Sequence, residues 1–273
     1  MVKLFTIVKD EVDIVRDWII YHGSMFGFNN IYVIDNYSSD GTYEALQEFK
    51  DLIYITREHD YKRKGEFMTN LMNTHCHEND KLAFPIDIDE FIVYHERGSR
   101  EISVDKNLIN NYINNLPMCR VYKANFLNPI LTKPEGFNRA TVEVDYSNYC
   151  DLGNFAKSFV DTRYFNEIID HGNHINCNDY HLTNLVLVHY HNRNIEQMRK
   201  KILNNVLGFG YNPEINSLRD ILQKNKDSPG CHHIRNQINI LENRYVLPYD
   251  SNPDPNNTIN ITPLKNRIMG GFF

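Results

Sequence analysis

Nowhere does this 273-residue sequence approach the roughly 18 consecutive apolar residues of a membrane-spanning helix. Its opening segment, Met-Val-Lys-Leu-Phe-Thr-Ile-Val-Lys-Asp, reaches charge too soon for the apolar region of a secretory leader. Cysteine is sparse: Cys76, Cys119, Cys150, Cys177 and Cys231 are odd in number, widely scattered and without a C-x-x-C pair. That pattern speaks against a disulfide framework or a zinc ribbon, and a soluble, cytoplasmic protein is the expectation. Positive charge is short too. A formal net charge of -6 gives no global attraction to nucleic acid or to an anionic membrane surface, so a polyanion would have to be met locally. No glycine-rich phosphate loop precedes the first expected helix, and no internal repeat or domain-sized low-complexity block is visible.

What is present is apolar material in a regular order. Hydrophobic residues make up 41% of the chain, enough to fill a large core. Residues 3–8 suit a buried strand, and Asp10 offers a cap for the helix that follows. In that helix Val15, Trp18, Ile19, His22, Met25 and Phe26 recur at three- and four-residue spacing up to Gly27. Strand-like residues 30–35, the loop Asn36-Tyr37-Ser38-Ser39-Asp40-Gly41 and a helix over 42–49 come next. A strand over 52–56, a helix over 65–77 and a fourth strand over 81–88 complete the series, with Pro85 predicting a sheet edge or a bulge. This alternation predicts right-handed crossovers and a mostly parallel sheet whose ligand lies beyond the carboxyl ends of the strands. Later residues predict a helix over 108–116 and strands over 120–126, 140–144, 158–165 and 185–191. Helices over 195–207, 218–222 and 231–245 then lead to a Pro- and Asn-rich tail.

The densest chemistry lies in Asp87-Ile88-Asp89-Glu90-Phe91. At the end of an extended strand, acids two residues apart leave the same face while Ile88 points into the core, so the carboxylates are expected to converge. Set between apolar runs, two such charges would repel each other unless a cation stood beside them. Oxygen ligands with open positions suit magnesium or manganese and, with it, a nucleoside diphosphate.

Several segments resemble the glycosyltransferases of family 92 and their family-2-like relatives in order and spacing. These are Lys9-Asp10-Glu11, Arg16-Asp17-Trp18, Tyr21-His22, Gly27, Ile34-Asp35-Asn36-Tyr37-Ser38-Ser39-Asp40-Gly41-Thr42 and Asp87-Ile88-Asp89-Glu90-Phe91. Lys157-Ser158-Phe159-Val160 and His189-Tyr190-His191-Asn192-Arg193-Asn194 look like later segments of that family, so the likeness spans residues 3–201. It implies a Rossmann-like A-type glycosyltransferase fold: α/β, with a mostly parallel central sheet, helices on both faces, extra antiparallel strands and a helical C-terminal part. It also implies a nucleotide-sugar donor with UDP favoured, a Mn2+ or Mg2+ ion and inversion at the anomeric carbon.

By position in that likeness, Val8, Lys9 and Glu11 would border the base, Asp35 would lie near the nucleoside, Asp87 near the ribose and metal, and Asp89 on the metal. The family's Phe-Gly segment reads Asn125-Phe126-Leu127-Asn128 here, leaving open whether the acceptor is a glycan or another hydroxyl compound. The expected organisation is a transferase domain over 1–194, with a donor half (1–94) and an acceptor half (95–194). A helical extension over 195–247 and a tail over 248–273 follow.

Other groups add to this set. His189 and His191 alternate on an expected strand and share a face, where either could complete the ion's coordination. Arg57, with Lys62, Arg63 and Lys64 behind it, follows the third strand and could meet the donor diphosphate, as could Lys157 and Arg193. Inversion needs a carboxylate base, for which Asp151 is the first candidate, ahead of Glu135 and Asp145. A nucleotidyltransferase, or a non-catalytic nucleotide or glycan binder of the same fold, are the alternatives.

Overall fold

The computed structural model describes residues 1–77, 79–137, 144–164, 169–170, 172–224, 226 and 230–270. Four parallel strands form the first half of its sheet: β1 (Val2–Val8), β2 (Ile31–Asp35), β3 (Tyr54–Arg57) and β4 (Leu82–Pro85), in the order β4-β1-β2-β3. Helices α1 (Val15–Phe26), α2 (Thr42–Gln47) and α3 (Lys64–His75) connect them. Alternation along β1 sends Leu4 and Val8 into a core with Trp18 and Ile19 of α1 and Leu46 of α2. Phe5 and Ile7 go to the other face, against Met68, Leu71 and Met72 of α3. Helices therefore cover both faces, and the carboxyl ends of four strands share one rim.

The second half is mixed. It comprises β5 (Glu90–Tyr94), α4 (Lys106–Asn114), β6 (Val121–Pro129), β7 (Tyr146–Cys150), β8 (Lys157–Asp161) and β9 (His181–His189). Strand β8 pairs antiparallel with β4 and carries the sheet on to β6 and β7, while β9 lies antiparallel on β5 and parallel beside β6. The strand expected over 140–144 falls almost wholly outside the described residues, as does the end of the one expected over 158–165. The C-terminal part holds α5 (Ile195–Gly208), α6 (Ile215–Lys224) and α7 (Cys231–Leu241), joined by a small core of Val206, Leu218, Ile234 and Ile238. All five cysteines are free thiols, and among the described residues no helix is long and apolar enough to cross a membrane.

Three local expectations need correction. Helix α1 begins at Val15, not just after Asp10, which takes a φ of 55°. The Asp10 carboxylate instead accepts from the Ser39 amide at 2.7 Å and Asn204 Nδ2 at 2.9 Å. Strand β4 is interior rather than at an edge. It accommodates Pro85 because that residue is its last, and β8 pairs only with Leu82 and Ala83. Finally, the expected tail is built into the fold: β10 (Ile259–Asn260) pairs with β7, and α8 (Thr262–Met269) buries Leu264 and Ile268 in the main core.

Candidate active site

Because β4 stops at Pro85, the motif acids lie on a turn leading into β5. The Glu90 amide donates to the Asp87 carbonyl at 3.0 Å, and the Asp87 amide donates to Glu90 Oε2 at 2.8 Å. Both carboxylates line one cleft, and each has its own partners. Asp87 Oδ1 accepts from Lys64 Nζ at 2.7 Å and Asn173 Nδ2 at 3.0 Å, and its Oδ2 accepts from Lys157 Nζ at 2.8 Å. Asp89 Oδ2 meets Lys201 Nζ at 2.5 Å, while its Oδ1 lies 3.6 Å from His189 Nε2.

Burial by itself would raise both acids. The ammonium groups of Lys157 and Lys64 at Asp87, and Lys201 with His189 at Asp89, outweigh it and hold both well below the ordinary carboxylate range. The lysines respond in kind: burial opposes their charge, yet the facing carboxylates raise Lys64, Lys157 and Lys201. At Glu11 and Glu90 burial wins, and both carboxyls are pushed up although Arg193 and Lys157 stand beside them.

Sheet register brings the histidines to Asp89. On the β5–β9 pair Glu90 faces His189, and the Tyr190 amide donates to the Asp89 carbonyl at 2.8 Å. His191 packs edge-on to His189, with ring centroids 5.3 Å apart. Ligand atoms of Asp89, His189 and His191 all lie within 4.8 Å of one another, a grouping that could hold a metal ion. Burial lowers His191 well below the usual imidazole value, so the ring is neutral and has a lone pair to offer. An ionised carboxylate beside imidazole nitrogen is a donor set that fits a divalent ion. Asp87 is outside that grouping, and lysines hold both of its oxygens.

These residues line a cleft of about 780 Å³ that also includes Lys9, Glu11 and Lys64. Lys9 Nζ donates to the Tyr37 carbonyl at 2.5 Å. Glu11 pairs with the guanidinium of Arg193, which is 1% exposed and also binds Asp13 at 2.7 Å and the Tyr190 carbonyl at 2.9 Å. Val8 is buried beneath the cleft, its carbonyl accepting from the Asn36 amide at 2.8 Å. Asp35 and Arg57 pair with each other at 2.8 Å and do not line the cleft. Asp35 is fully buried, and the Arg57 guanidinium lies 4.1 Å and 4.0 Å from the ring centroids of Tyr37 and Tyr43. Asp151 is elsewhere: with His95, Arg100 and Tyr149 it lines a second cleft of about 620 Å³, at the opposite end of the β5–β9 pair from His189. Asp145 is engaged away from the first cleft by Lys265 at 2.9 Å, and Glu135 does not line that cleft.

The main cleft also contains residues that motif reading missed. Lys201, Asn204 and Asn205 enter it from α5, and His233 from α7. Asn194 caps α5 by accepting from the Gln197 amide at 2.8 Å, and Met198, Ile202 and Val206 bury one stripe of it. That four-residue spacing is visible in the sequence and puts Lys201 and Asn205 along one border of the buried stripe and Asn204 off it. Which surface they would meet is set by the tertiary fold.

No family model and no curated protein matches the chain. Among solved structures, residues 1–349 of TarS from S. aureus in complex with UDP-GlcNAc overlap 89% of this chain and 72% of their own, at 9% identity and a TM-score of 0.43. Glucosyl-3-phosphoglycerate synthase from Mycobacterium tuberculosis, in complex with Mn2+, UDP-glucose and phosphoglyceric acid, overlaps 97% of this chain and 90% of its own, at 10% identity and a TM-score of 0.40. Likenesses this loose carry no chemistry across; the residues of the cleft have to supply it.

Proposed function

We propose that this chain is a glycosyltransferase related to family 92 and its family-2-like relatives. In this reading it binds a nucleoside diphosphate sugar, UDP-type favoured, in the 780 Å³ cleft and transfers the sugar to a hydroxyl acceptor such as a glycan. One observation carries the reading. Asp89, His189 and His191 lie within 4.8 Å of one another in a cleft shared with the ammonium groups of Lys64 and Lys201. Such a cleft pairs a divalent-ion donor set with the cations that a diphosphate needs.

Two imidazoles beside one carboxylate favour manganese over magnesium, which prefers an all-oxygen shell. When bound, the ion would act as a Lewis acid that offsets charge on the departing diphosphate. The protein's own residues do the remaining work. Lys9 and Glu11 at the end of β1 border the nucleoside. Lys64, held by Asp87, and Lys201, held by Asp89, face the diphosphate. Arg193 fixes Glu11 and Asp13, and Asp35 orients Arg57 between its two tyrosines. Incubation with UDP-glucose or UDP-N-acetylglucosamine in manganese should release UDP as water takes the glycosyl group in place of the acceptor hydroxyl. Asp89→Ala should slow that release by about 100-fold, in the range set by loss of one preorganised charge-stabilising group. Release at the wild-type rate from Asp89→Ala would refute the assignment.

A further inference from the structure

We infer that Lys201 is a built-in counter-cation for the donor diphosphate, so that the cleft binds a nucleoside diphosphate without a divalent ion. This rests on the donor-cleft reading above. Asp89 divides its oxygens between two kinds of neighbour. Oδ1 lies 3.6 Å from His189 Nε2, on the side of the metal-type grouping, whereas Oδ2 carries Lys201 Nζ at 2.5 Å. Lys201 thus occupies the Asp89 oxygen that His189 does not approach, and in this inference the ammonium and an ion on the histidine side act together.

The lysine is fixed in place. Glu11 Oε1 lies 3.6 Å from Nζ, and the helix beneath is anchored by the Asn194 cap and by burial of Met198 and Ile202. Arg193 approaches the same Asp89 oxygen at 3.8 Å, but its side chain is 1% exposed and wholly engaged, whereas that of Lys201 is 19% exposed and lines the cleft. Of the two cations on Asp89, Lys201 is the one that an entering phosphate can reach. On Asp87, Lys64 also lines the cleft but its side chain is only 5% exposed. An ammonium tethered to a packed helix has no dissociation equilibrium, so its charge-assisted hydrogen bonds to phosphate oxygens do not depend on ion concentration.

UDP itself is the probe. Melting of the wild-type chain is followed with and without UDP, once in EDTA and once in manganese. At a hundredfold excess over Kd, UDP should raise Tm by about 5 °C in both media. Lys201→Met should lose the shift in EDTA and regain it in manganese, and Lys201→Arg should keep it in EDTA. A wild-type shift seen only in manganese would overturn the inference while leaving the donor-cleft reading intact. No shift in either medium would overturn the donor-cleft reading, and the inference with it. A full shift in EDTA for Lys201→Met would assign the cation role to another group and overturn the part given to Lys201. The wild-type comparison decides the first point even if a variant fails to fold.

Discussion

Asp87 and Asp89 stand two positions apart and serve different neighbours. Asp87 is shared by two lysines whose side chains are 5% and 4% exposed; Lys157 keeps Glu90 at 2.9 Å when Asp87 is removed, but the buried Lys64 ammonium loses its carboxylate. Asp87→Asn should cost about 3 kcal/mol, the order expected for breaking a buried ion pair, read as a lower urea midpoint at unchanged slope. Asp89→Asn should cost less stability, because Glu11 stays beside Lys201 and both Glu11 and Asp13 stay on Arg193; it should abolish the manganese contribution to UDP binding. Equal destabilisation by the two variants would contradict this division. The acid pair itself is legible in the sequence. Its division is not, because Lys64, Lys157 and Lys201 reach it across 23, 70 and 112 residues. Asp151 is the opposite case: a carboxylate in a plausible loop that the fold places in another cleft. Asp151→Asn should therefore leave UDP release and acceptor transfer at wild-type rates, and a selective loss of transfer would restore it as the base.

At the scale of elements, periodicity within one helix is easy to read and boundaries set by distant partners are not. The apolar spacing of α1 identifies Trp18, Ile19, His22 and Met25 as buried, and burial pushes the His22 imidazole down to about 3, leaving it neutral. Its Nδ1 lies 3.0 Å from the Trp18 carbonyl, and its Nε2 accepts from the Ile92 amide at 3.3 Å. The start of the same helix is not legible locally, because Asp10 spends its carboxylate on the Ser39 loop and on α5, neither of which is near in sequence. Helix α5 links element to site, since its first turn follows His191 and Arg193 directly and its second carries Lys201. Asn194→Ala removes the side-chain cap and should lower stability by about 1 kcal/mol. Hydrogen exchange should quicken in the first turn of α5 and stay unchanged in α1; uniform quickening would show that the cap acts globally instead.

For the whole molecule, strand–helix alternation made the parallel half legible, since each crossover joins neighbours in sequence. The β5–β9 pair, which creates the metal-type grouping, joins residues nearly a hundred positions apart and leaves no local trace. Charge placement adds a property of the whole fold. At Asp80, burial would raise the carboxyl, but the hydrogen bond from Lys3 and that from the His77 amide hold it below its ordinary value. Asp40, Asp87, Asp89, Asp161 and Asp170 are depressed as well, against burial in each case. A depressed carboxyl binds its proton more tightly in the unfolded chain. Its contribution is complete above the unfolded value near 4 and is lost as pH falls through the folded value. Glu11 and Glu90, raised mainly by burial, act in the other sense: their contribution is present below the unfolded value and lost as pH rises through the folded one. The depressed acids are the larger set, so the urea midpoint should fall steeply between about pH 4 and pH 2 and only mildly above. Asp80→Asn should make that acid limb shallower by removing one titrating pair, because the buried Lys3–Asp80 bridge at 2.7 Å is lost at every pH. A limb of unchanged steepness in Asp80→Asn would show that acid unfolding is governed by other groups.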